Sequence, residues 1–422
     1  MTQATHAATH AAFNAPVGDI DDESVLDRPR ASVSAPGPDI RVSIHGDLAD
    51  VEREWRTFQK IADCTVFQSY EWLSAWQRNI GAQAGAIPAI VVGYDNAGAL
   101  LFIAPLAVEP HGFVRELTWL GSDLCDYNAP LLAPDFSQKI DAARFMSVWC
   151  EIAARLQKDS RTTYDVVRFS KMPEKLGGQA NPFLALGVGT HPSGAYLTHL
   201  SDEWEKFYAE KRSSQTRRRD RTKRKKLAEM GEVVFVNPPA ADVASVLETL
   251  FVQKAASFAH MGVANLFAKP GHSEFFREIA ADLAMREMVH ISRLDVGAVH
   301  AALNLGLIFR GCYYHVLASY DAGEVSKYGP GAAHLHDLMA YAIERKCNVF
   351  DFTIGDERYK RDWSDTELKL FDHFSAATVR GWPIVMMSVG FTKLKRWIKQ
   401  TPVVWDAFQK ARAFTGSLKA KN

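Results

Sequence analysis

The sequence predicts an α+β protein made of two tandem units, each a mixed, mostly antiparallel sheet flanked by helices. Its 422 residues exceed what one hydrophobic core usually organises, which favours two units of ordinary size. The order of elements in the first half, helices followed by a hairpin, a helix and a further strand, recurs in the second half. A Pro- and Gly-rich stretch from Pro173 to Gly194 separates the two. No short-period repeat is visible, which argues against a solenoid.

Residues 1–38 hold Ala, Asp, Pro and Ser clusters without apolar periodicity and read as a disordered leader. The first unit, 39–194, begins with alternation at Ile40 to Ile44. An amphipathic helix with Val51, Trp55 and Phe58 follows, then a second helix from Glu71 to Gly81. Ile87 to Tyr94 and Leu100 to Val108 flank the turn formers Asp95, Asn96, Ala97 and Gly98, which predicts a hairpin. Ala142 to Leu156 reads as a helix and Tyr164 to Phe169 as a strand.

The second unit, 195–392, opens with helices over Trp204 to Met230. A strand from Val233 to Val236 and helices from Ala241 to Ala259 and Ser273 to Arg286 come next. Val289 to Leu294, Val299 to Ile308 and Cys312 to Ser319 then form an antiparallel meander. Residues 393–422 make a basic amphipathic helix and tail.

Composition bounds the function. Hydrophobic residues make up 47% and charged residues 23%, the balance of a chain that buries a core. Lys+Arg and Asp+Glu both total 49, so no net field draws the whole molecule to nucleic acid or membrane, and no DNA partner is expected. The five cysteines, Cys64, Cys125, Cys150, Cys312 and Cys347, are scattered and form no C-x-x-C pair, which reads as free thiols in a reducing cytoplasm. Met1 to Ala12 has neither a basic n-region nor an apolar h-region. The apolar stretch near Trp382 to Phe391 falls short of the roughly 20 residues that span a bilayer. The expected location is cytoplasmic.

The chemistry is expected after the meander. A polar loop ends at Tyr328, and Gly329, Pro330 and Gly331 lead into a helix from Ala332 to Lys346 with Ala332 and Ala333 in its first turn. A helix N-terminus presents N–H groups and the positive end of a dipole, and small residues there let a phosphate approach the backbone. The plainer alternative is that Gly-Pro-Gly merely starts a helix. Asn348 to Phe352 reads as a strand delivering Asp351, followed by Thr353-Ile-Gly-Asp-Glu-Arg-Tyr-Lys-Arg-Asp-Trp363. Tyr359 and Lys360, side by side, suit protonation of a departing thiolate and binding of anionic groups, unless they simply pack at a rim. His315 and Asp351 are the candidate general bases, against structural hydrogen bonding for each. His334 and His336, two apart on a helix, point to nearly opposite faces and cannot clamp one ion, so no metal is assigned.

Tyr328-Gly-Pro-Gly331, the helix after it, and Phe350-Asp-Phe-Thr-Ile-Gly-Asp-Glu-Arg-Tyr-Lys360 resemble the C-terminal signature of the CelD-type (cellulose-biosynthesis) GNAT acyltransferases. Phe67-Gln-Ser-Tyr-Glu-Trp-Leu-Ser-Ala-Trp76, Pro105-Leu106, Leu120-Gly121 and Asp126-Tyr127 resemble the same family's first domain, and the likeness covers about Ile40 to Ala377. Family members typically carry Ser-Pro-Gly where this chain has Gly329-Pro330-Gly331. The resemblance implies a tandem GNAT fold related to FemAB-type transferases. It also implies acetyl-CoA or another acyl-CoA as co-substrate, its pyrophosphate on the loop ending at Gly331, and transfer to an amine or hydroxyl acceptor in envelope or exopolysaccharide metabolism. The alternatives are a FemAB-like transferase drawing on charged tRNA and a non-catalytic scaffold of the same fold.

Two basic segments complete the reading. Arg217, Arg218, Arg219, Arg221, Lys223, Arg224, Lys225 and Lys226 crowd one expected helix. This is either a solvated face or a contact for an anionic substrate, lipid headgroups or the 3′-phosphate of CoA. Past Gly390, Phe391, Leu394, Trp397 and Ile398 alternate with Lys393, Lys395, Arg396 and Lys399, which suits packing on the helix's own domain or peripheral contact with the inner membrane.

Overall fold

The computed structural model describes residues 40–400, except for the side chains of residues 392, 393 and 395–400. The expected leader, 1–38, and the tail beyond Gln400 lie outside the described residues, as do the side chains of Lys393, Lys395, Arg396, Trp397, Ile398 and Lys399.

The first sheet starts with β1 (Arg41–His45), after which α1 (Glu52–Phe58) buries Trp55 and Phe58. α2 (Tyr70–Trp76) is capped by Ser69, whose hydroxyl accepts from the Trp72 N–H. The helix expected to run to Gly81 gives way at Gln77 to a π-turn, Gln77–Gly81, where the Gly81 Cα lies against the Trp76 ring. β2 (Ile87–Tyr94) and β3 (Leu100–His111) form the expected hairpin, and the Asp95 carboxylate accepts from the Ala97 and Ala99 N–H groups of its turn. β4 (Val114–Trp119), α3 (Ala142–Lys158) and β5 (Val166–Pro173) follow, with β4 and β5 parallel. The stretch after Pro173 is not bare passage: the turn Pro182–Leu186 buries Phe183 against Trp119, Phe145, Trp149 and Phe169 of the first unit.

The second sheet begins at β6 (Ala195–His199). The helical run expected over Trp204 to Met230 is two helices, α4 (Trp204–Lys211) and α5 (Ser214–Met230), because the Ser213 hydroxyl caps a new helix by accepting from the Thr216 N–H. β7 (Val233–Val236), α6 (Val243–His260) and α7 (His272–Ala281) lead to the meander β8 (Val289–Val296), β9 (Val299–Phe309) and β10 (Cys312–Tyr320). α8 (Pro330–Glu344) crosses over to β11 (Val349–Ile354), and α9 (Arg358–Trp363) and β12 (Thr366–Leu368) close the unit. The strand order is β7-β8-β9-β10-β11-β6-β12, with β10 and β11 parallel and the remaining neighbours antiparallel.

β13 (Leu370–Ala376) then leaves the second sheet and pairs antiparallel with β5 of the first. α10 (Gly381–Gln400) packs on β13 and β5, and the Arg168 guanidinium of β5 donates to the Ser388 hydroxyl. Among the described residues no helix is long and apolar enough to cross a membrane.

One buried cluster runs through both sheets. Phe67 stands at its centre, edge-on to Trp72 at 5.5 Å and Tyr127 at 5.7 Å from the first unit and to Tyr314 of β10 at 5.8 Å. Trp72 in turn meets Phe275 of α7 at 4.8 Å, and around this apolar seam Arg78 and Asn79 pair with Glu278 while His272 pairs with Asp123. Phe67→Ala should therefore loosen both sheets together. We expect a loss of about 3–5 kcal/mol in urea unfolding, within a single transition.

Candidate functional site

β10 and β11 pair over three residue pairs, Cys312 with Val349, Tyr313 with Phe350 and Tyr314 with Asp351. Beyond them β10 stays with β9 and β11 stays with β6, so the two strands part and leave a wedge at their C-terminal ends. Ligands of sheets with parallel strands bind at such ends, where the crossover helix also begins.

Antiparallel alternation decides which atoms face the wedge. The Asp321 N–H donates to the Ala301 carbonyl, so odd positions at this end of β10 turn toward β9 and Ala318 turns toward the gap. The Gly355 N–H donates to the Gly194 carbonyl, so Ile354 likewise turns away from β6 toward the gap. Each of these carbonyls accepts from a lysine. Lys254 of α6 donates to Ala318 O at 3.0 Å, and Lys360 of α9 donates to Ile354 O at 2.7 Å while pairing with Glu357 at 3.2 Å. Gly355 has φ 139°, and a Cβ there would stand 2.8 Å from the Lys360 Nζ, so this position needs glycine. Burial pushes Lys254 down, opposed by Glu357 and reinforced by Lys360.

Asp351 sits at the root of the wedge. Its Oδ1 accepts from the Tyr127 hydroxyl of the first unit at 2.7 Å and from the Thr353 N–H at 2.7 Å. That second bond holds Thr353 at φ 61°, an unusual conformation for a β-branched residue, beside the bulge where β6 and β11 change register. Burial raises Asp351 to about 7, and the Tyr127 hydroxyl opposes the rise. Burial also raises Asp126, which lies near Lys171, Thr353, Lys360 and Glu357.

The second feature is a cleft of about 250 Å³ where α8 begins. Tyr328, Gly329, Ala332 and Ala333 form one wall, and Trp204 and Tyr208 of α4 with Arg221, Lys223 and Arg224 of α5 form the other. Gly329 caps α8 at φ 68°, and a Cβ there would come within 3.8 Å of the Lys223 Nζ. Pro330 brings no N–H, those of Ala332 and Ala333 turn onto the Gly329 carbonyl, and that of Gly331 has no acceptor among the described residues. Arg224 Nη1 donates to both carboxylate oxygens of Asp337 at 3.1 Å, whereas Arg221 and Lys223 make no ion pair among the described residues. Trp204 stacks on Tyr208 at 5.0 Å, and the Tyr208 hydroxyl donates to Asp220 at 2.9 Å.

Several of the expected site residues fall into two groups. Tyr328, Gly329, Ala332 and Ala333 line the cleft, while Gly331 packs beside Tyr320, its Cβ position 3.6 Å from that ring. Lys360 and Asp351 belong to the wedge. Tyr359 keeps 38% of its surface exposed, packs edge-on against Phe352, and is pushed above the usual tyrosine range by burial and by Glu357. His315 lies buried beside Phe350 and is pushed down to about 3 by burial, then by Lys360 and Lys254. His334 contacts the Ser292 hydroxyl at 3.1 Å and His336 faces Asp220 at 3.9 Å, so the two serve different surroundings. Lys254 belongs to no motif, and its one sequence signal is its place after Leu250 and Phe251 along the buried stripe of its helix, where a lysine is out of character.

Residues 214–361 match the Acetyltransf_6 family, an acetyltransferase (GNAT) domain, and this stretch contains the cleft wall on α5, the wedge and α8. Among functionally curated proteins nothing matches. Among solved structures, FemX resembles this chain with a TM-score of 0.54 at 10% identity, over 79% of this chain and 97% of FemX. A conserved protein of unknown function from Bacteroides thetaiotaomicron VPI-5482 resembles it with a TM-score of 0.50 at 10% identity, over 79% of this chain and 99% of the other. The fold is α+β, with two tandem GNAT-like units built on mixed, mostly antiparallel sheets.

Because Asp351 is raised from 3.8 to about 7, its contribution to stability is full below pH 3.8 and is lost as pH rises through about 7. The Tyr127 hydroxyl favours the charged form. Tyr127→Phe should then cost about 1.5–3 kcal/mol near pH 8 and less near pH 5, as read from urea unfolding at the two pH values.

Proposed function

We propose that this protein is an acyl-CoA-dependent N- or O-acyltransferase that binds its donor across the cleft and the wedge. The observation that carries the proposal is the start of α8. A helix start carrying Gly329, Ala332 and Ala333 faces Lys223 and Arg221 of a basic helix, at the end of the sheet where β10 and β11 part. A diphosphate suits that cleft, and the acyl end of the donor then reaches the wedge.

In the reaction the acceptor nitrogen or oxygen attacks the thioester carbonyl, the new C–N or C–O bond forms, and the C–S bond breaks. Tyr359, raised by its surroundings, is protonated at neutral pH and gives the thiolate its proton, while the proton shed by the acceptor nitrogen or oxygen passes to solvent, from which Tyr359 is restored. Lys360 holds negative charge at the wedge. Asp351, accepting from the Tyr127 hydroxyl and the Thr353 N–H, shapes β11 as a positioning residue, and His315, pushed down to about 3 by burial, is neutral and poorly matched to general-base work at pH 7. The finer placement in envelope or exopolysaccharide metabolism follows from the CelD-type motifs and the FemAB relationship they imply.

A second reading, transfer from a charged tRNA, draws on the density of α5: of its 17 residues Leu227 alone is buried, and the exposed basic run extends beyond what one diphosphate engages. Calorimetry separates the two. Acetyl-CoA and free CoA should bind the wild-type chain. Ala332→Trp, which fills the cleft from an exposed position, should abolish binding, and Lys223→Glu should weaken it by about tenfold or more, with folding checked by circular dichroism. Absence of binding by either CoA species at millimolar concentration overturns the acyl-CoA reading in favour of the tRNA one.

A further inference from the structure

The wedge holds more positive charge than the motifs announce. Lys254 comes from α6, a helix outside both sequence motifs, and Lys360 from α9, yet each ends on a main-chain carbonyl that faces the same gap, one on either lip. Carbonyl oxygens on the two lips would repel an anion; the ammonium groups that cap them reverse the sign of the local field. Glu357 is the carboxylate paired with Lys360, and it also acts on Lys254, while Asp126 and Asp351, both raised by burial, lie near Lys360. His315, beneath them, adds no charge at neutral pH.

We propose that Lys254 and Lys360 together form a two-sided clamp for the oxyanion that develops on the donor's carbonyl oxygen during transfer. This rests on the donor reading given above. As the acceptor attacks, the carbonyl π electrons move onto oxygen, and they return when the C–S bond breaks and the sulfur takes its proton. The clamp acts on the interval between those events, when one full negative charge stands between the lips. A ground-state thioester, neutral at that oxygen, gains little from it. Anchoring one lysine on the carbonyl of each lip keeps the two charges apart without a ligand and lets both approach the oxygen with one.

Two CoA thioethers test this in binding alone. S-carboxymethyl-CoA places a carboxylate where S-acetonyl-CoA places an uncharged ketone and methyl group, and the two are otherwise alike. The wild-type chain should bind the carboxylate form tighter by about tenfold or more, Lys254→Gln should bring the two within about twofold, and Lys254→Arg should keep most of the preference. Glutamine retains a donor for the Ala318 carbonyl, so a purely structural role for Lys254 would leave the preference unchanged. Lys254→Met serves as a second neutral variant should the glutamine variant fail to fold. Equal binding of both thioethers by the wild type, or a preference that survives Lys254→Gln, overturns the clamp and leaves the donor reading standing. Failure of both thioethers to bind the wild-type chain overturns the donor reading and the clamp with it.

Discussion

The carboxylate of Asp351 is the point on which the rest of the molecule turns. One oxygen takes a hydroxyl from the first unit and an N–H from its own strand, so a single buried acceptor fixes the approach of the two sheets and the direction of β11. Without the bond to Thr353, a β-branched residue would not be expected to stay at positive φ. The tie to Tyr127 places the root of the wedge against the Phe67 cluster, so its position follows from the same packing that joins the sheets. Rigid support of this kind is what a site needs when fractions of an ångström decide its electrostatics.

Charge in this chain cancels overall but not locally. α5 places arginines and lysines at i and i+4, as in Arg217 with Arg221 and Arg221 with Lys225, pairs that weaken a helix. Its described anchors include the Ser213 cap, the buried Leu227, the Arg224–Asp337 bridge and the Asp220 carboxylate that accepts from Tyr208. A helix held at so few points gains from an anion bound along it. The same logic applies to the two lysines of the wedge, which repel each other and both feel Glu357. A negatively charged ligand at either place would relieve this repulsion.

Much of this was legible in the sequence. The β2–β3 hairpin, the meander, the helix after Gly331 and the strand carrying Asp351 all follow from periodicity and turn residues, because each is a local pattern. The cleft was half legible: Tyr328, Gly329, Ala332 and Ala333 announce a helix start with small residues, but nothing in the run Arg217 to Lys226 says which surface it faces. That depends on the break at Ser213, which sets α5 against α8. The roles of Tyr127, Lys254 and Glu357 depend on partners up to 224 residues away, and no window along the chain records such a distance. Strand pairing of β6 with both β11 and β12, and of β13 with β5, was hidden for the same reason.

The return of β13 to the first sheet bears on how the chain is made. A ribosome releases residues in order, and an N-terminal sheet can ordinarily finish folding while the rest is still being synthesised. Here the first sheet lacks the strand beside β5 until residue 376 has emerged, by which point the whole second sheet has emerged as well. Until then the edge of β5 is left without its partner and must be kept from pairing elsewhere. The two sheets look like separate modules, but the nascent chain has to complete them together.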